Sequence, residues 1–161
     1  MELKVREVRR SDNEVLAKII RAAFYEHNAP QQGTVFSDPT TDNLYELFRA
    51  EGAFLLVAET DDIIDGCCGI YPTPGLDKDC AELVKFYLRK ESRGKGVGRE
   101  LMNRCLDEAG KMGYKKIYLE SLPEFDRAVT MYEKLGFKRL DKPMGVSGHC
   151  TCNIWMLKEL D

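Results

Sequence analysis

The stretch RGKGVG, Arg93–Gly98, sets three glycines on alternate positions around two cations. Inside a helix or strand each glycine would cost about 0.5–1 kcal/mol relative to alanine. The flanks are nonetheless regular. Glu82 to Leu88 reads as a strand, and from about Gly98 to Lys111 the residues Leu101, Met102, Cys105, Leu106 and Ala109 recur at helical spacing. A glycine-rich turn between a strand end and a helix start suits an anion. Backbone N–H groups gather in one concavity, and the helix N-terminus adds roughly half a positive charge. Arg93, Lys95 and Arg99 supply mobile cations beside it. A plain turn needs only one glycine, so the spacing predicts a phosphate or pyrophosphate ligand. Two nucleotide patterns fail, however. G-x-G-x-x-G meets Arg99 or Leu101 where its third glycine belongs, and no Gly-Lys-Ser/Thr completes a P-loop.

Upstream, Val5 to Val8 reads as a first strand. Ser11 and Glu14 have the spacing of a capping box, and Val15, Leu16, Ile19, Ile20, Ala23 and Phe24 line one helix face. Residues 28–43 are rich in Pro, Gly, Asn and Thr and read as a loop. A short helix follows, with Leu44, Leu47 and Phe48 on one side. Ala53 to Glu59 and Ile64 to Tyr71, split by the acidic TDD, make a hairpin pattern. Downstream, Gly113 stops the helix and Lys116 to Leu119 is a strand. Ser121, Pro123 and Glu124 mark another helix start; Phe125, Ala128, Tyr132 and Leu135 form its stripe and Gly136 its end. Gly136 to Leu140 and Asn153 to Leu157 are the last two strands. The order β-α-α-β-β-β-α-β-α-β-β predicts an α/β fold: one mixed, mostly antiparallel sheet flanked by helices, in a single domain over residues 1–161.

Composition narrows the classes. The 161 residues are 43% hydrophobic and 32% charged, with a net charge of −3, which suits a packed core rather than a disordered chain. Lys and Arg are interleaved with Asp and Glu, so the footprint of a nucleic-acid binder is missing. The first ten residues are charged where a signal peptide would be apolar. The longest apolar run, Ala53 to Ala58, is far short of the roughly 20 residues that span a bilayer. A soluble, cytoplasmic protein with no nucleic-acid or membrane partner is expected. Cys67, Cys68, Cys80 and Cys105 sit in apolar patterns and read as free thiols. The cluster HCTC, residues 149–152, offers at most three soft ligands and no second pair completes a zinc set, so no metal is expected. His27 reads as a helix-end residue.

With these residues in view, the chain resembles the GCN5-related N-acetyltransferases. Their signature for acetyl-CoA is Arg or Gln, two residues, Gly, one residue, then Gly or Ala, and Arg93, Gly96 and Gly98 match it in register. AELVKFYL is similar to the family's central strand. AVTMYEKLGFKRL is similar to its late helix and strand, through Ala128, Tyr132, Gly136 and Phe137. The likeness covers most of the chain and is strongest from Glu82 to Leu140.

The resemblance implies an N-acetyltransferase that takes acetyl-CoA as cosubstrate and a primary amine of a small molecule or peptide as acceptor. It implies pyrophosphate on the backbone of Gly94, Lys95, Gly96, Val97, Gly98 and Arg99, beside Arg93, and a pantetheine arm paired with the main chain of Phe86, Tyr87 and Leu88. Tyr132 is then the acid that protonates the leaving thiolate. Glu82, at the start of the central strand, is the base acting through water, with Glu120 its rival. His149 and residues 28–43 are candidates to line the acceptor pocket. Phe125 departs from the family, which often has Asn there touching the cofactor arm. That departure leaves room for the alternative, a non-catalytic acyl-CoA-binding or regulatory module. Homodimers are frequent in the family, so a two-copy assembly is one expectation.

Overall fold

A computed structural model of the chain describes residues 2–146, 148 and 151–161. Among these residues seven strands form one sheet. In chain order they are β1 (Leu3–Glu7), β2 (Phe54–Thr60), β3 (Ile63–Tyr71), β4 (Cys80–Leu88), β5 (Lys116–Ser121), β6 (Lys138–Arg139) and β7 (Ile154–Glu159). The helices are α1 (Asn13–Glu26), α2 (Leu44–Leu47), α3 (Val97–Lys111) and α4 (Asp126–Lys134). The spatial order is β1-β2-β3-β4-β5-β7-β6. Every neighbouring pair is antiparallel except β4–β5, which the α3 crossover makes parallel. The expected element order and sheet type are therefore observed.

Local chemistry explains most boundaries. Asp61 and Asp62, at φ +51° and +66°, form the two-residue turn between β2 and β3, and paired positive φ values suit the twist of a tight hairpin. Two apolar layers then cover the sheet. On one face Ala58, Cys68, Ile70, Ala81 and Leu83 pack under α3 (Leu101, Met102, Cys105) and α4 (Val129, Tyr132). On the other, Leu55, Val57 and Cys67 pack under α1 (Leu16, Ile20, Phe24), Leu44 and Phe48. The buried cysteines are free thiols. Burial pushes Cys67 up to about 12 and Cys80 up to about 11, so neither supplies a thiolate at neutral pH.

Several local expectations are corrected. The capping box of Ser11 and Glu14 does not form. A 3₁₀ turn at Arg10–Asp12 precedes α1, Asp12 accepts the Arg9 N–H at 2.7 Å, and Glu14 pairs with Lys18 instead. Val15 is 43% exposed, because the buried stripe centres on Leu16, Ile20 and Phe24 and leaves Val15 at its edge. Residues 28–43 are not plain loop but hold two 3₁₀ turns, Val35–Ser37 and Pro39–Asp42. Phe125 precedes α4 and packs on the α1 side, so the core stripe of α4 is Val129 and Tyr132. Strand β4 begins at Cys80, which puts Glu82 inside the strand instead of at its start.

The central irregularity is in β4. Cys67 pairs with Tyr87 and Gly69 with Val84, so Lys85 and Phe86 together oppose Cys68. That is a β-bulge, with Lys85 at φ +58°. Ala81 and Leu83 face α3 before it, Phe86 and Leu88 after it, a three-residue step where a regular strand takes two. On its other side β4 pairs with β5 only at Cys80, Ala81 and Glu82. Past Glu82 the two parallel strands part.

Candidate active site

The glycine loop leaves the start of α3 uncapped. Gly96 directly precedes the helix at φ +84° and has no side chain to accept an N–H. At Gly94 (φ +76°) and Gly96 an added Cβ would meet nothing within 4 Å, so the backbone angle and not space selects glycine. Gly98 has the opposite reason. A Cβ there would lie 3.1 Å from Phe86 Cζ and 3.3 Å from Leu88 Cδ1. The loop thus turns the positive end of α3 and its first N–H groups toward open space, a cradle suited to phosphate.

A groove of about 600 Å³ leads from this loop along Leu88, Tyr87 and Phe86 of β4, with Ala128, Met131 and Lys134 of α4 opposite. Gly94, Gly96, Gly98 and Arg99 line it. Lys95 is exposed and outside that lining, and the Val97 side chain is buried in the core, so Val97 can offer only backbone. Arg93 is not a mobile cation. Its Nη2 donates to Glu26 Oε1 at 2.6 Å and to Leu88 O at 2.9 Å, which staples the loop to α1 and to the end of β4. The sequence reading missed Arg127 and Lys134, which also line the groove. On α4 they look like any solvated face, so only the neighbouring loop reveals them.

At the sheet end of the groove a recess of about 60 Å³ shares the walls Phe86, Tyr87, Phe125 and Ala128. Glu82, Lys85, Glu120, Tyr132, Thr34 and Cys152 also line it. Glu82 is 3% exposed, and its Oε1 accepts from Thr73 Oγ1 at 2.6 Å. Burial raises its pKa, the Thr73 hydroxyl opposes that, the neighbouring Glu120 charge adds to it and the Lys85 charge opposes it; the net value is pushed up to about 7. Burial holds the Tyr132 hydroxyl well above the usual phenol range, so it keeps its proton. Tyr118 donates its hydroxyl to Glu120 Oε2 at 2.7 Å. Thr34 and Val35 bring the 28–43 segment to the recess wall, while His149 lies outside the described residues. Phe125 packs on Phe24, His27 and Tyr87 at centroid distances of 5.2, 5.1 and 6.0 Å, an apolar wall where the family often has an amide. Among the described residues no group of three or more His, Cys, Asp and Glu could hold a metal ion, and no helix is long and apolar enough to cross a membrane.

A sequence model described as the acetyltransferase (GNAT) family matches residues 21–137. The chain belongs to the GNAT family. The uncharacterized N-acetyltransferase YjgM of Escherichia coli (strain K12) is 35% identical to this GNAT chain over 150 residues, 92% of it and 90% of that protein. An acetyltransferase of the GNAT family from Staphylococcus aureus MU50 superposes with a TM-score of 0.87 at 20% identity, covering 99% of this chain and 100% of that one. The PaiA N-acetyltransferase from Thermoplasma acidophilum, solved in complex with coenzyme A, superposes with a TM-score of 0.77 at 20% identity, covering 99% and 100%. At such identities the two structures establish a shared GNAT fold.

Proposed function

We propose that this chain is an acetyl-CoA-dependent N-acetyltransferase that moves the acetyl group to a primary amine of a small molecule or peptide by direct attack on the thioester. The observation that carries the reading is one recess, opening on the groove beside the glycine loop, that holds both a carboxylate with a value near 7 and a phenol that keeps its proton. Acetyl-CoA supplies the activated acetyl group when bound. The uncapped N–H groups at the start of α3 and the side chains of Arg99, Arg127 and Lys134 suit its phosphates. The stretch Phe86–Leu88, past the point where β4 and β5 part, suits its amide-bearing arm.

The residues divide the proton work. An alkyl ammonium with a value of about 10.4 must lose a proton before it can attack. Glu82 accepts that proton, through a water for which the recess has room. Tyr132 holds a proton at Oη for the departing thiolate. A backbone N–H at the end of β4 donates to the carbonyl oxygen as charge gathers there. The test is release of CoA from acetyl-CoA across polyamines, amino acids, aminoglycosides and peptides. Amine-dependent release is expected. Tight acetyl-CoA binding with no release for any amine would favour the non-catalytic binding module.

A further inference from the structure

Lys85 is not used by the chemistry above, yet its placement is costly. It is the extra residue of the β4 bulge, at φ +58°, where a non-glycine side chain carries backbone strain. It is 5% exposed and lines the recess. Among the described residues its ammonium has no hydrogen-bond or ion-pair partner. Burial drives its value down, with Asp38 and then Glu82 opposing from a distance. Packing alone would favour an apolar residue here, because a cation with so little access to water and no partner is destabilising. The bulge re-aims the chain so that this cation enters a recess whose other charged walls, Glu82 and Glu120, are carboxylates. The recess therefore has an anionic part and a cationic part, in a volume suited to the charged head of a small molecule.

We propose that the acceptor carries a carboxylate beside its amine, an amino-acid-like zwitterion, and that the Lys85 ammonium binds that carboxylate while Glu82 and Glu120 receive the ammonium. This rests on the N-acetyltransferase reading and deepens it, because it sets polyamines, aminoglycosides and ordinary peptide N-termini aside. Lys85 acts here in specificity. A site that satisfies a polar group of its substrate rejects the analogue lacking it, because its own buried group is then left unpaired.

The experiment compares each proteinogenic amino acid, β-alanine and 4-aminobutyrate with the amine formed by loss of its amine-proximal carboxylate. Acetylation kinetics and calorimetric binding to the CoA-saturated protein are both measured, for wild type, Lys85→Met and Lys85→Arg. CoA affinity checks that each variant is folded. At least one amino acid should exceed its decarboxylated partner by about 100-fold in kcat/KM. Lys85→Met should shrink that ratio at least tenfold, mainly through KM, and Lys85→Arg should retain part of it. No preference for the carboxylate in wild type, or equal losses for both members of a pair in Lys85→Met, overturns the proposal. Should no amine be acetylated while amino acids bind wild type and not Lys85→Met, the carboxylate site stands and the N-acetyltransferase reading falls. Binding of no amino acid in any assay overturns the site itself.

Discussion

At the residue scale, Glu82 and Tyr132 make opposite demands on the same burial. Removing water raises both values, which tunes a carboxyl to about 7 and fixes a phenol in its protonated form. Glu82→Gln should lower kcat by about 10²-fold or more at pH 7. It should also abolish the rise of kcat/KM through pH 7, with partial recovery at high pH as solvent deprotonates the amine. A pH profile of both proteins checks this. Stability changes in the opposite sense. The folded value lies above the ordinary 4.5, so the native state holds this proton more tightly. The contribution is complete below about pH 4.5, is lost as pH rises to about 7, and is flat beyond. Urea unfolding of wild type relative to Glu82→Gln should therefore lose up to about 3 kcal/mol between pH 4.5 and pH 8. Tyr132→Phe should slow turnover about 10- to 100-fold with CoA affinity and melting temperature nearly unchanged, because the ring packing survives and the hydroxyl has no hydrogen-bond partner among the described residues. Paired kinetics and calorimetry measure it, and full activity would reduce Tyr132 to a core residue.

At the element scale, the glycine loop separates backbone need from packing need. Gly96→Asp places a side chain and a negative charge at the uncapped end of α3, in a left-handed conformation that costs an ordinary residue about 1–2 kcal/mol. CoA binding should fall at least 100-fold by calorimetry on a protein that still melts cooperatively. Gly98→Ala should act differently. It presses on Phe86 and Leu88, so its melting temperature should fall as well as its CoA affinity. The loop was legible in sequence because turn chemistry is local. Its partners were not. Arg93 reads as a free cation until α1 brings Glu26 within 2.6 Å, and Arg127 and Lys134 read as surface until α4 is docked beside the loop.

At the scale of the whole molecule, β1, β2 and the start of α1 are tied by one guanidinium. Arg6 donates to both carboxylate oxygens of Asp12 at 2.9 and 3.0 Å and to Glu59 at 3.2 Å. Burial would raise the Asp12 value, but Arg6 and the Arg9 N–H outweigh it and hold it below the ordinary 3.8. This stability is present above that range and is lost as pH falls through the folded value. Asp12→Asn should destabilise by about 2 kcal/mol, less than a wholly severed buried pair because Glu59 remains, and lower the melting temperature by about 4–8 °C at pH 7. The gap should narrow toward pH 3, and thermal melts at both pH values check it. Period and punctuation carried the element order, the hairpins and the α3 crossover, since a strand's alternation, a helix's stripe and a glycine turn are each written within a few residues. The same signals placed Glu82 at a strand start, where pairing with Lys116 and Ile117 of β5 extends β4 back to Cys80, and Ser11 in a cap, where the adjacent Arg9–Asp12 turn took over. The sequence by itself determined the fold, the glycine loop before α3 and the candidates Glu82 and Tyr132. Only the tertiary structure decided that Glu82 is buried against Thr73 and near Glu120, that Arg93 is held by Glu26, and that a bulge carries Lys85 into the recess. Proton affinity, ion pairing and strand register depend on which distant groups share a volume, and that is set by packing rather than by any local pattern.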